Sequence, residues 1–180
     1  MKRLFFLFLF TSVTLSQNLK LGFNIEFHQI RINSETGILG GNGAPLSVHL
    51  TSDYKFTRNF STLVKIGRTL HQEFLGWEFG IDGKYQLYKP LFIFGGTKLH
   101  LNEGRGISNG EWVNYANIFM LNAGVGADIT SILSVDLSYY YPLSKKIIGG
   151  SRNYYSGKEE IITRKFNGMI RLGFAFKWEI

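Results

Sequence analysis

The chain alternates between apolar and polar positions every two residues, and the alternation recurs from Leu19 to its last residue. The clearest stretch closes the sequence. There Ile170, Leu172, Phe174, Phe176, Trp178 and Ile180 are large and apolar, while Arg171, Gly173, Ala175, Lys177 and Glu179 are small or charged. Successive side chains of a strand point to opposite faces, so this period predicts a strand with one oily and one polar face.

Seven earlier runs predict seven more strands. The first sets Leu19, Leu21, Phe23, Ile25 and Phe27 against Lys20, Gly22, Asn24, Glu26 and His28. The second sets Leu46, Val48, Leu50 and Tyr54 against Ser47, His49, Thr51 and Asp53, and the third Phe60, Thr62, Val64 and Ile66 against Ser61, Leu63, Lys65 and Gly67. The fourth places Trp77, Phe79, Ile81 and Tyr85 opposite Glu78, Gly80, Asp82 and Lys84. In the fifth, Leu91-Phe92-Ile93-Phe94 is apolar on both faces, and Lys98 and His100 set the phase. The sixth (Phe119 to Asp128) is rich in glycine, and the seventh sets Leu133, Val135, Leu137, Tyr139 and Tyr141 against Ser134, Asp136, Ser138 and Tyr140.

The connections alternate in length. Thr57-Arg58-Asn59, Tyr88-Lys89-Pro90 and Ile129–Ile132 are short, whereas Asn33–Ala44, Leu70–Leu75, Asn102–Asn114 and Leu143–Thr163 are longer. Transmembrane barrels have short turns at one end and longer loops at the other. An even number of runs with this parity predicts a meander with both termini at the short-turn end.

Composition agrees. Among 180 residues there are 21 Gly and 3 Pro, and aromatics make up 16%, which suits many strands and tight turns. The chain has no Cys, so disulfides and thiolate metal sites are excluded. Its net charge of +7 is scattered along the strands, a distribution that does not predict nucleic-acid binding. Lys2-Arg3, the apolar Leu4–Phe10 and the small Thr14 and Ser16 predict a secretory signal over residues 1–16, cut after Ser16, with a barrel domain over 17–180.

A soluble ligand-binding barrel also alternates, with its oily face inward. Three features favour the inverted arrangement. The oily face carries almost no charge in mid-strand, as lipid requires; Arg68 is the main exception. The polar face balances Lys20, Lys55, Lys65, Lys84, Lys98, Arg171 and Lys177 against Glu26, Asp53, Glu78, Asp82, Asp128, Asp136 and Glu179, as a closed interior demands. Aromatics gather near strand ends as two girdles. The expected fold is all-β: an eight-stranded antiparallel up-and-down transmembrane β-barrel.

At this point the chain resembles the small outer-membrane β-barrel superfamily, the class of the OmpA transmembrane domain and OmpX. The segment Ala123–Tyr141 is similar to a porin-family outer-membrane barrel domain. The class usually closes on Phe or Trp; this chain closes on Ile180, with Trp178 keeping the phase. The resemblance implies an outer-membrane monomer that meets the barrel-insertion machinery and outer-membrane lipids, including lipopolysaccharide, and binds no nucleic acid.

Eight strands leave an interior that side chains can fill, with Phe92, Phe94, Met120 and Tyr140 as filling. An interior charge network is expected from Lys20, Glu26, Asp53, Lys65, Glu78, Asp82, Lys84, Lys98, Asp136 and Arg171. A closed, non-pore barrel with a structural or surface-interaction role follows. Some relatives in the superfamily modify lipids, as lipid A deacylases or phospholipases, but none of His28, His49, His71 and His100 stands in a His-x-Ser pair; no catalytic, cofactor or metal residues are expected. The fourth loop offers possible surface contacts at Lys145, Lys146, Arg152, Tyr154, Tyr155 and Lys158, where basic side chains suit lipid phosphates.

Overall fold

A computed structural model describes residues 18–34, 37–38, 45–71, 74–103, 105–108, 111–114, 116–143, 147–155 and 158–180. The expected signal segment 1–16 falls outside them, as do Lys145 and Lys146. Every described regular element is a strand: β1 (Leu19–Ser34), β2 (Gly37–Ile38), β3 (Leu46–Lys55), β4 (Phe60–His71), β5 (Phe74–Tyr88), β6 (Leu91–Asn102), β7 (Arg105–Ser108), β8 (Glu111–Asn114), β9 (Ile118–Asp128), β10 (Leu133–Pro142), β11 (Ile147–Tyr155) and β12 (Lys158–Glu179).

Eight of these are the staves of a barrel. β1, β3, β4, β5, β6, β9, β10 and β12 pair antiparallel in that order. β12 then pairs back onto β1, from Lys20↔Glu179 to Ser34↔Arg164, and closes the ring. Closure pairs each of the eight staves on both sides, the condition for strands to cross a bilayer.

The alternation read from sequence sorts the two faces. Along β4, Ser61, Leu63, Lys65, Thr69 and His71 are buried, while Phe60, Val64, Ile66 and Leu70 are exposed. Leu50, Ile81, Val125 and Leu137 are likewise at least half exposed, and Glu26, Glu78, Lys98 and Arg171 are almost wholly buried. The apolar face is therefore outside, opposite to a soluble barrel, in which water would meet the polar face. On β6 the ambiguous apolar run resolves as Lys98 and His100 require, with Phe92 and Phe94 inside. Gly124 and Gly126 make room for these rings: a Cβ on either would collide with Phe94 or Phe92.

All four longer connections differ from the sequence expectation. In the first, Asn33 and Ser34 still belong to β1 and pair with β2. Leu70–Leu75 is not a long loop, because β4 and β5 stay paired as far as His71↔Phe74. The third connection contains the paired hairpin β7–β8, with Ile107↔Trp112 in register. In the fourth, β11 pairs with the start of β12, so the last strand begins at Lys158 and runs 22 residues. The alternation hides this extension because β12 changes phase. The register slips between Arg31 and Ile32, opposite Gly168, whose φ is 136°. Below the slip Met169 and Arg171 face inward, and above it Phe166 does. A bulge of this kind flips side-chain parity, and a period-2 reading stops there.

Candidate functional site: the charged lumen

The chemistry-bearing side chains converge inside the barrel, where glycine spacing makes room for long side chains. One lateral row crosses β3, β4, β5 and β6 as His49, Gly67, Glu78 and His100. With no side chain at Gly67, the His49 ring reaches across to Glu78, its Nε2 donating to Oε2 at 2.8 Å. The next row runs Thr51, Lys65, Gly80, Lys98, and Gly80 separates the two lysines.

Two fully buried carboxylates form the centre. Glu26 accepts from Arg171 Nη1 at 2.6 Å, Lys65 Nζ at 2.8 Å, Asn24 Nδ2 at 2.9 Å and Lys98 Nζ at 3.4 Å. Glu78 accepts from Arg171 Nη2 at 2.5 Å, Arg171 Nη1 at 2.7 Å, Lys98 Nζ at 3.2 Å and His100 Nδ1 at 3.2 Å. Lys98 and Arg171 also lie over the Tyr140 ring, 4.6 and 4.7 Å from its centroid. Buried charges persist only when paired and hydrogen-bonded, and here six staves supply the partners.

Towards the short turns, separate pairs fill the lumen. Lys177 donates to Asp53 at 2.9 Å and Lys84 to Asp128 at 3.2 Å, with Lys84 3.8 Å from the Phe92 ring centroid. Lys20 sits at the rim rather than in the central cluster, 2.9 Å from the exposed Glu179. Asp82 accepts from Asn122 at 2.8 Å. Asp136 makes no ion pair among the described residues; it packs where Gly173 leaves space. Towards the loops an apolar plug takes over: Phe74, Ile118, Met120, Tyr140, Phe166 and Met169 pack together. His100 stacks on Phe74 at 3.7 Å.

Sequence reasoning placed Glu26, Lys65, Glu78, Lys98 and Arg171 in one interior network and Lys177, Asp128 and Tyr140 on the same inward face, but it assigned none of these, nor His49 and His100, a particular partner. All of them occupy the polar phase of their strands, so the signal was present; convergence depends on register. Arg152, Tyr154 and Tyr155 are on β11 and Lys158 opens β12, opposite Tyr155; their side chains are not among the described ones.

Two arrangements bear on catalysis and metal binding. Ser47 Oγ and His28 Nδ1 are 3.4 Å apart, a Ser–His contact between strands that no linear motif announces. Ser47 is fully buried, however, and also touches Thr69 at 2.9 Å and Arg171 at 3.4 Å. Ligating atoms of Glu26, His49 and Glu78 all lie within 4.8 Å of one another. Their carboxylate oxygens already accept from Lys65, Lys98 and Arg171, so the donor set fits an ion-pair cluster rather than a metal.

No protein-family model matches the chain, and comparison with curated protein sequences finds no match. Solved structures do resemble it. Neisserial surface protein A is 16% identical with a TM-score of 0.51, covering 89% of this chain and 97% of its own. The N-terminal β-barrel domain of Pseudomonas aeruginosa OprF is 15% identical with a TM-score of 0.54, covering 90% and 98%. The outer membrane protein AlkL is 12% identical with a TM-score of 0.54, covering 90% of each chain. Closed ring, inverted faces and these likenesses together give the chain the fold of the small eight-stranded outer-membrane β-barrels, the OmpA/OmpX-like class.

Proposed function

We propose that the protein is an integral outer-membrane barrel with a closed lumen, and that it acts structurally or through surface contacts at its loop end, not as a pore or an enzyme. The observation that carries this reading is the filling of the lumen from wall to wall. Arg171 bridges to Glu78 across the centre, and the Phe74–Phe166 plug lies on its loop side. A void between the described side chains of the lumen has a volume of about 10 Å³, room for about one water. Among the described residues this packing supports a closed lumen.

The outer face supports this location. Its exposed Leu, Ile, Val and Phe side chains suit lipid, and Trp77, Tyr85, Tyr139 and Trp178 stand nearer the strand ends. The termini and short turns then face the periplasm, and the hairpins β7–β8 and β11–β12 face outward. The partners are outer-membrane lipids, lipopolysaccharide phosphates at Lys145, Lys146, Arg152 and Lys158, and the barrel-insertion machinery; the barrel is a monomer. Planar-bilayer recording tests closure: the purified protein gives no stable conductance. A large, steady conductance would overturn the reading. Recovery in the soluble fraction without detergent would overturn the location.

A further inference from the structure

The void lies on the short-turn side of the central cluster and is lined by Asn24, Thr51, Lys65, Asp136, Lys177 and the rings of Phe92 and Phe94, among others. Three of its polar lining atoms receive no hydrogen bond from the protein: Asn24 Oδ1, Thr51 Oγ1 and Asp136 Oδ1. Asn24 cannot turn its amide around to relieve this without loss, because its Nδ2 donates to Glu26 at 2.9 Å. Gly173 lets the Asp136 carboxylate lie close against β12, since any side chain there would strike it. Opposite stands Lys65, whose ammonium has three N–H donors and gives one to Glu26. β4 and β10 are the third and seventh of the eight staves, so Lys65 and Asp136 approach from opposite walls.

We propose that this chamber is a hydration site, in which one water molecule bridges Lys65 and Asp136 across the lumen, with Asn24 Oδ1 and the Thr51 hydroxyl completing its shell. The chemistry selects water over other small species. The occupant must donate to Asn24 and Asp136 and accept from Lys65, and water does both. A metal cation would face the ammonium groups of Lys65, Lys84 and Lys177, all of which line the chamber. An anion would face the Asp136 carboxylate and the Asn24 carbonyl oxygen. Water-mediated pairs are nearly as favourable as direct ones, and buried waters typically make about three hydrogen bonds. The bridge ties β10 into the ion network of β1, β4, β5, β6 and β12.

Two measurements on the purified barrel test this. A high-resolution crystal structure shows one solvent peak within hydrogen-bond distance of Asp136 and Lys65, and a thallous-ion soak adds no anomalous signal there. Solid-state NMR in bilayers shows water-to-protein transfer reaching the Asn24 and Thr51 side chains several-fold faster than Phe74 and Phe166. Asp136→Leu abolishes that difference while the barrel remains folded. A direct Asp136–Lys65 or Asp136–Lys177 contact over a dry chamber would overturn the proposal. So would thallium density, or transfer at Asn24 and Thr51 no faster than at the plug.

Discussion

Arg171 and Glu78 meet across the full width of the barrel. Their strands, β12 and β5, are the eighth and fourth staves of the ring, and both guanidinium nitrogens reach the same carboxylate, Nη2 to Oε1 at 2.5 Å and Nη1 to Oε2 at 2.7 Å. This bidentate geometry fixes separation and orientation together. It acts as a strut between walls that share no backbone hydrogen bond.

Glu78→Gln removes the charge that Arg171 and Lys98 share. Breaking one side of a buried pair costs about 3–5 kcal/mol. Urea unfolding in bilayers should show a loss of that order. Replacing Arg171 and Glu78 together by Met should cost less than the sum of the two single replacements. Additive losses would mean that the two side chains do not act as a unit.

Interior glycines on β9 set the packing of Phe92 and Phe94. Gly124→Val drives a branched side chain into the Phe94 ring, and overpacking of this kind costs about 1–3 kcal/mol or more. The expected result is loss of the heat-modifiable folded band on gels. Val125→Ala, one residue along and facing outward, should leave that band in place.

Gly168 holds the bulge of β12 at a φ of 136°. Side chains rarely adopt this conformation, and the strain is about 1–3 kcal/mol. A Cβ there would also press on the Tyr139 hydroxyl and the Tyr140 carbonyl. Gly168→Ala is therefore expected to lower the unfolding midpoint clearly, whereas Gly83→Ala, whose nearest neighbours stand at 3.4 Å or beyond, should barely change it.

Position along the outer face decides the cost of charge. Leu50 lies midway along β3 and is 73% exposed. Leu50→Arg should cost about 2–4 kcal/mol in a bilayer. Arg68 sits near the loop end, 2.8 Å from Glu103 and 5.9 Å from the Trp77 ring centroid. Arg68→Leu should change stability by less than about 1 kcal/mol. Equal effects at both sites would argue that the outer face does not meet lipid.

Ser47 tests the non-enzymatic reading. A fluorophosphonate probe labels activated serines that it can reach; Ser47 is buried beneath Arg171 and Thr69. No adduct is expected in the folded barrel. Stoichiometric labelling that disappears in His28→Ala would establish an activated Ser–His pair.

The alternation by itself determined the eight staves and the two faces, because a strand has only two sides and nearly every run keeps them chemically distinct. It also placed Glu26, Lys65, Glu78, Lys98 and Arg171 on the polar face. It lost the outer part of β12, where the bulge at Gly168 reverses parity, and the β4–β5 hairpin, where polar Thr69 and His71 look like loop residues. Only the closed ring decided which residues meet. Shear between staves sets His49 beside Glu78 through Gly67 and carries Arg171 across to the opposite wall. Ser47 and His28 become neighbours in the same way. These contacts depend on register and ring closure, which link positions up to 145 residues apart, and no local period encodes them.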